Sequence, residues 1–396
     1  MNQDYDPLAS VQAAGPPGTI SFIYGLPDPV TFPVEDLRRA ADQVLHERPE
    51  LALQYGPEQG YGPLIDYIRD KVRREEGLVL ERPQIMLTGG SAQALDHLCT
   101  LFTRPGDCVL VEAPTYHESL QLFRDHGLHP LQVPIDEDGL QVEALAARLE
   151  ALTREDRAGA RFLYTIPNFQ NPSGITLAAS RRQAVLDLAA RYGLLVVEDD
   201  VYRDLAYEGH VPPSLFALDG GRRVLRIGSF SKILAPGVRM GWLMGPVAHI
   251  ERLVGSGLRC MGGGANPLMA NILAAYCREG RLERHIEQLR RVYRERRDAM
   301  LAALAVASAA GMPEGVSWTR PGGGFFLWLR LPASLRAAEV AARAREARLL
   351  IPVGDPFFAE TPTGPYLRLA FSYVTPDKIE EGIQILAQVV RSTLAA

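Results

Sequence analysis

Only three lysines, Lys71, Lys232 and Lys378, stand among 42 lysine and arginine residues. Arginine fills ordinary surface ion pairs equally well but does not give up its proton. A lysine retained in such a chain is therefore a candidate for work that needs a neutral amine, such as attack on an aldehyde. Lys71 lies in DKVRREEG and Lys378 in TPDKIEEG, charged helical stretches where a solvated side chain is expected. Lys232 lies in IGSFSKILAPGVRMGW, past an apolar strand and among serines, glycines and apolar residues with no acidic neighbour. An amine desolvated there has a lowered pKa and is nucleophilic.

The same stretch offers Ser229, Ser231 and Arg239, two hydroxyls and a guanidinium that suit a phosphate close to the amine. A second phosphate element is MLTGGSAQALDHL, where a strand runs into Gly89-Gly90 and a helix opens at Ser91. The start of a helix presents free N–H groups and a positive dipole to an anion, although many such turns serve only as caps. Phosphate beside a reactive amine points to pyridoxal 5′-phosphate (PLP). Its pyridine nitrogen must stay protonated for the ring to accept electrons, which calls for a buried carboxylate at a strand end. LLVVEDDVYRDL offers Glu198, Asp199 and Asp200, and residue chemistry alone leaves the three open. PNFQNPSG places Asn171 in a Pro-flanked turn, a donor for the phenolic oxygen or simply a turn residue. Arg368, between apolar neighbours in YLRLAFS, suits a substrate carboxylate, the plain alternative being the polar face of a half-exposed strand.

The elements that must position these groups are legible as alternation. Apolar runs at 85–88, 109–113, 160–166, 194–199 and 223–228 alternate with amphipathic segments long enough to be crossover helices. This predicts an α/β fold with a mostly parallel sheet covered by helices. After Gly280 a long helix leads to a smaller α+β lobe, with strands in WTRPGGGFFLWLRLP and YLRLAFSYV around a Gly-rich turn.

Composition narrows the function. A formal net charge of −5 leaves no basic stripe for nucleic acid. Cys99, Cys108, Cys260 and Cys277 have neither a disulfide pattern nor zinc spacing, so no metal is expected. The first residues lack the features of a secretion signal, and no apolar run is long enough for a membrane span, so a cytoplasmic protein is expected. GxSxG, HExxH and GK[ST] motifs are absent, His126 and His129 read as loop or surface residues, and Gly262 to Gly264 read as a mobile or interface loop rather than a dinucleotide fingerprint.

Taken in order, ISFIYGLPDPVTFP, LQYGPEQGYGPL, GGSAQALD, EAPTYHE, PNFQNPSG, VEDDVYRDL, GSFSKILAPGVRMGW, PGGGFFLWL and YLRLAFS resemble the fold-type-I PLP-dependent aminotransferases over nearly the whole chain. The branch most resembled contains 2-aminoadipate and kynurenine aminotransferases and the catalytic domains of MocR-type regulators. The resemblance implies Lys232 as the Schiff-base lysine, Asp199 on the pyridine nitrogen, and Asn171 with Tyr202 on the phenolic oxygen. It implies Tyr116 stacked on the ring, with Ser91, the Ala92 backbone, Ser229, Ser231 and Arg239 on the phosphate. Arg368 and Asn171 would meet the substrate carboxylate, with Gly25 and Tyr24 beside the substrate. Tyr55 would reach a phosphate across the interface of a homodimer with shared active sites. The implied domains are an arm with part of the small domain at 1–45, a large PLP-binding domain at 46–290 and a small domain at 291–396.

Three departures from the pattern are visible. Ala92 has no side-chain donor, Tyr24 stands where glycine is usual, and SVQAAGPPG lacks the arginine that some relatives use for a distal carboxylate. The implied reaction passes an amino group from an L-amino acid to a 2-oxo acid, by family habit 2-oxoglutarate, in a ping-pong cycle. The same residues would serve a PLP-dependent lyase, decarboxylase or oxidative deaminase. A PLP-binding regulatory domain is the remote alternative, disfavoured because only about 20 residues precede ISFIYGLP and leave no room for a helix-turn-helix domain.

Overall fold

The computed structural model describes residues 18–152 and 159–395. Its strands in chain order are β1 (Ile20–Ser21), β2 (Ile85–Thr88), β3 (Cys108–Ala113), β4 (His129–Asp136), β5 (Gly139–Leu140), β6 (Ala160–Thr165), β7 (Leu195–Asp199), β8 (Val224–Ser229), β9 (Gly241–Met244), β10 (Ser317–Trp318), β11 (Phe326–Arg330), β12 (Leu349–Leu350) and β13 (Tyr366–Ala370). The large sheet runs β2-β9-β8-β7-β6-β3-β4-β5. Pairing is parallel from β8 through β4 and antiparallel at β9 and β5. Strands β2, β3, β8 and β9 are buried along their full length, as expected for a sheet covered on both faces.

The topology brings the candidate residues to one edge. β3, β6, β7 and β8 point the same way, so their C-terminal ends deliver Tyr116, Asn171, Asp199 and Ser229 side by side. β9 runs against both β8 and β2, so β2 also ends there, at Gly89-Gly90, while β9 starts there just after Arg239. The carboxyl edge of a parallel sheet is where open α/β folds place their ligands.

The helix Arg281–Ala309 leads into the antiparallel sheet β10-β11-β13, which carries Arg368 opposite Trp328. β1 pairs in parallel with β12, tying the N-terminal segment that holds Tyr24 and Gly25 to the C-terminal part of the chain. No helix among the described residues is long and apolar enough to cross a membrane. The segment SVQAAGPPG lies, except for Gly18, outside the described residues.

One expectation fails. Lys71 is not a solvated helix charge but is buried, its ammonium donating to Asp204 Oδ1 at 2.7 Å and to the Glu75 carboxylate. The helix Gly62–Glu76 buries Leu64, Ile68, Lys71 and Val72, spaced i, i+4, i+7 and i+8, so Lys71 stands on the apolar face despite its charged neighbours. Lys71→Met removes one partner and leaves the partly buried Asp204 without its ion-pair cation. It is expected to cost about 3 kcal/mol in denaturant unfolding, leaving turnover per folded site unchanged. Lys378 is exposed and pairs with Glu381 at 2.6 Å, as a surface lysine should.

Candidate active site

Lys232 follows β8 and turns its amine inward. Its Nζ donates to the Gly25 carbonyl at 3.2 Å and lies 5.9 Å from the ring centres of Tyr202 and Phe325. Burial pushes this amine down to about 8, with the Glu118 and Asp199 carboxylates working against that shift. Gly25 must be glycine here, because a Cβ would lie 2.1 Å from the Phe326 ring. Tyr24 beside it is half-buried.

The three consecutive acids separate by strand alternation and by their partners. Glu198 accepts from the N–H groups of Leu215 and Phe216, both at 2.9 Å. Asp200 accepts from Asn168 Nδ2 at 2.5 Å and from Arg226 Nε at 3.0 Å. Asp199 accepts at Oδ2 from the Tyr164 hydroxyl at 2.7 Å, while its buried Oδ1 has no partner. Burial raises Asp199 to about 6, and the Tyr164 bond partly offsets this. A buried carboxylate oxygen without a donor is costly unless something supplies one, and the protonated ring nitrogen expected of PLP is such a donor.

Nearby lies an anion cradle. The helix Ser91–Phe102 starts at Gly90, with φ of 100°, and has no side-chain cap. Arg239 donates to the Gly89 carbonyl at 3.1 Å, and a Cβ on Gly90 would come within 2.6 Å of its Nη2. Ser229 and Ser231 are buried, the Ser231 N–H donating to Ser229 Oγ at 3.1 Å. Ala92, in the first turn, is exposed and leaves its position to the backbone.

Arg368 is buried, its Nη1 donating to Asn171 Oδ1 at 3.1 Å and its Nη2 to the Ile23 carbonyl. Its guanidinium is flanked by the Phe326 and Phe357 rings at 4.6 and 4.9 Å. No acidic side chain pairs with it among the described residues, and burial lowers it to about 10. A buried guanidinium facing rings and backbone is ready for a carboxylate. Asn171 also meets the side chain of Tyr202, whose hydroxyl is held well above its ordinary pKa by burial.

Two expected residues are less embedded. Tyr116 is half-buried and its hydroxyl donates to Glu118, whereas Tyr55 is 82 % exposed and stands beside Gly262, where a Cβ would be 2.9 Å from its ring. Sequence reasoning missed Tyr164, which holds Asp199. A tyrosine inside the apolar strand ARFLYTI needs a partner for its hydroxyl, and that was the available signal. Of the two histidines read as loop or surface residues, His126 is half-buried with Asp96 at 2.8 Å and His129 is exposed. The four cysteines are free, and no metal-holding group occurs among the described residues.

Residues 26–386 match the family described as aminotransferase class I and II. The chain belongs to the class I and II aminotransferases. It is 39% identical over 386 residues to the 2-aminoadipate transaminase of Thermus thermophilus, covering 96% of this chain and 92% of that one. It is 37% identical over 375 residues to aromatic-amino-acid aminotransferase 1 of Thermococcus litoralis, covering 95% and 88%. The crystal structure of Pyrococcus horikoshii kynurenine aminotransferase superposes with a TM-score of 0.90 at 37% identity, covering 100% of this chain and 96% of that chain. This aminotransferase is a fold-type-I enzyme that uses PLP to move an amino group between an amino acid and a 2-oxo acid.

Proposed function

We propose that this aminotransferase passes the amino group of an L-amino acid to 2-oxoglutarate by a ping-pong cycle, with Lys232 as the Schiff-base lysine and proton carrier. The observation that carries the reading is the meeting, at one sheet edge, of a low-pKa amine, a carboxylate oxygen without a donor and an anion cradle.

Asp199 Oδ1 would hold the ring nitrogen, Asn171 and Tyr202 the phenolic oxygen, and Tyr116 the ring face. The N–H groups of Ser91 and Ala92, with Ser229, Ser231 and Arg239, would hold the phosphate. When bound, PLP supplies a carbon that takes the amino group and a ring that accepts the electrons of the broken bond. Arg368 and Asn171 fix the substrate carboxylate, with Gly25 and Tyr24 lining the space beside it. That anchoring turns one bond at Cα toward Lys232, whose neutral amine takes the proton and returns it. Asp199 stays anionic opposite a cation, and the surrounding rings keep water away from the proton transfer.

The same reading includes a homodimer in the cytoplasm, with Tyr55 serving the partner's phosphate; its exposure supports that role. It also keeps the division into 1–45, 46–290 and 291–396, supported by the pairing of β1 with β12.

The test is the half-reaction. PLP-loaded protein mixed with amino acids one at a time should lose its visible absorbance and release one equivalent of 2-oxo acid, and 2-oxoglutarate should then restore the band. Product that goes on forming beyond one equivalent without any oxo-acid acceptor overturns the transfer cycle. Arg239→Ala should weaken PLP binding to the apo-protein about ten- to a hundredfold in a fluorescence titration, the worth of a charge-assisted hydrogen bond.

A further inference from the structure

The turn that carries Asn171 closes on its own backbone: the Gln170 N–H donates to the Ile175 carbonyl at 2.9 Å, and the Gly174 N–H to the Gln170 carbonyl at 2.6 Å. The buried Gln170 side chain is not needed for that closure and reaches out of the turn. Its Nε2 donates to Glu112 Oε2 at 3.0 Å and to the Pro114 carbonyl at 2.6 Å, at and just past the end of β3. Its Oε1 accepts from the Ser173 hydroxyl at 2.6 Å and from the Ser173 N–H at 3.0 Å. Glu112 is itself buried and pairs with no cation among the described residues. It accepts from Thr165 Oγ1 at 2.5 Å and from the Ile166 N–H at 3.1 Å, and burial raises its carboxyl to about 7. Phe169, on the other side of Gln170, holds a φ of 51°, left-handed backbone that a bulky residue keeps only where its surroundings enforce it. A buried glutamine with its donors and acceptor satisfied is ordinarily a brace within one loop. This one spans two loops, and it precedes Asn171, whose Oδ1 accepts from Arg368 Nη1 at 3.1 Å, so that only its Nδ2 can donate to a phenolic oxygen.

We propose that Gln170, anchored by Glu112, is a positioning residue: it holds the Asn171 turn against the end of β3 and so sets where the Asn171 amide meets the phenolic oxygen of PLP and the Arg368 guanidinium. The inference deepens the reading given above and rests on Asn171 donating to that oxygen. A donor there favours the bare negative charge on the phenolic oxygen, and so lowers the pH at which the Schiff-base nitrogen beside it gives up its proton. An Asn171 amide that drifts from its place loses part of that effect, and the midpoint rises.

The visible absorbance of PLP-loaded protein is titrated against pH in wild type, Gln170→Met, Asn171→Ala and the double variant. Asn171→Ala should raise the midpoint by about one unit, the worth of a hydrogen bond to a charged group, and Gln170→Met by about half a unit. The double variant should titrate where Asn171→Ala does, since a residue that acts through Asn171 then has nothing left to act on. An unmoved midpoint in Gln170→Met overturns the proposal and makes Gln170 a brace for the fold alone. Shifts that add in full overturn it as well. Should Gln170→Met fail to fold, Gln170→Asn, one carbon too short to span the two loops, is read by the same outcomes. Should Asn171→Ala leave the midpoint unmoved, the placement of Asn171 on the phenolic oxygen fails. Calorimetry with hexanoate, a carboxylate without an amine, then decides the role of Gln170 through the Arg368 contact. Binding weakened about threefold in Gln170→Met sustains the positioning role, and equal binding ends it.

Discussion

Lys232→Ala is expected to lower turnover by at least about 10⁴-fold, the upper range for loss of one positioned proton-transfer group, because the covalent anchor goes with it. Stopped-flow half-reactions check this, and a variant that keeps both its visible band and its rate refutes the assignment. Lys232→Arg should be equally inactive. It keeps the positive charge but not a proton that can be released near neutral pH, so it separates chemistry from electrostatics. The wild-type amine is held near 8 against an ordinary 10.5 by burial. The rate at which apo-protein captures PLP should therefore climb as pH rises toward about 8 and level off above it. Stability follows the same sign. Between about 8 and 10.5 the unfolded chain holds a proton that the folded chain has released, so apo-protein stability rises with pH across that window. Lys232→Ala should lose this rise.

How much of this was legible before any fold was drawn depends on how local each signal is. The strands β2, β3, β6, β7 and β8 were readable because strands buried on both faces appear as short apolar runs between amphipathic helices. Lys232 was readable because its neighbours lack acids, and Arg368 because a charge between apolar strand residues demands a partner. The choice among Glu198, Asp199 and Asp200 was not readable from their chemistry. It turns on which oxygen is left without a donor, and the donors Leu215, Asn168 and Tyr164 come from the start of a helix, a loop and another strand. Lys71 was misread for the same reason: its partner Asp204 is 133 residues away, and the surrounding charges hid an apolar face spaced at helical intervals.

Asp199→Asn should act in opposite directions on the empty and loaded protein, and that opposition identifies its role. In the apo-protein the carboxyl is raised to about 6 from an ordinary 3.8, first by burial. Between those values the folded chain holds a proton that the unfolded chain has released, so stability is greatest at low pH and falls as pH rises through about 6. Asparagine cannot ionise, so the apo variant should lose this fall and gain up to about 3 kcal/mol over wild type at pH 8, read from denaturant unfolding. With PLP bound the balance reverses. The carboxylate then faces a cationic ring nitrogen across a buried contact, a pairing that an amide cannot supply, and the electron-accepting power of the ring falls with its proton. Turnover should drop about 10³-fold, and PLP affinity should fall as well. A variant that is more stable empty, holds PLP less tightly and turns over slowly is what a carboxylate kept for the ring nitrogen predicts. A variant destabilised equally in both states would instead make Asp199 a structural acid of the kind that Glu198 and Asp200 already are, each satisfied by partners within the fold.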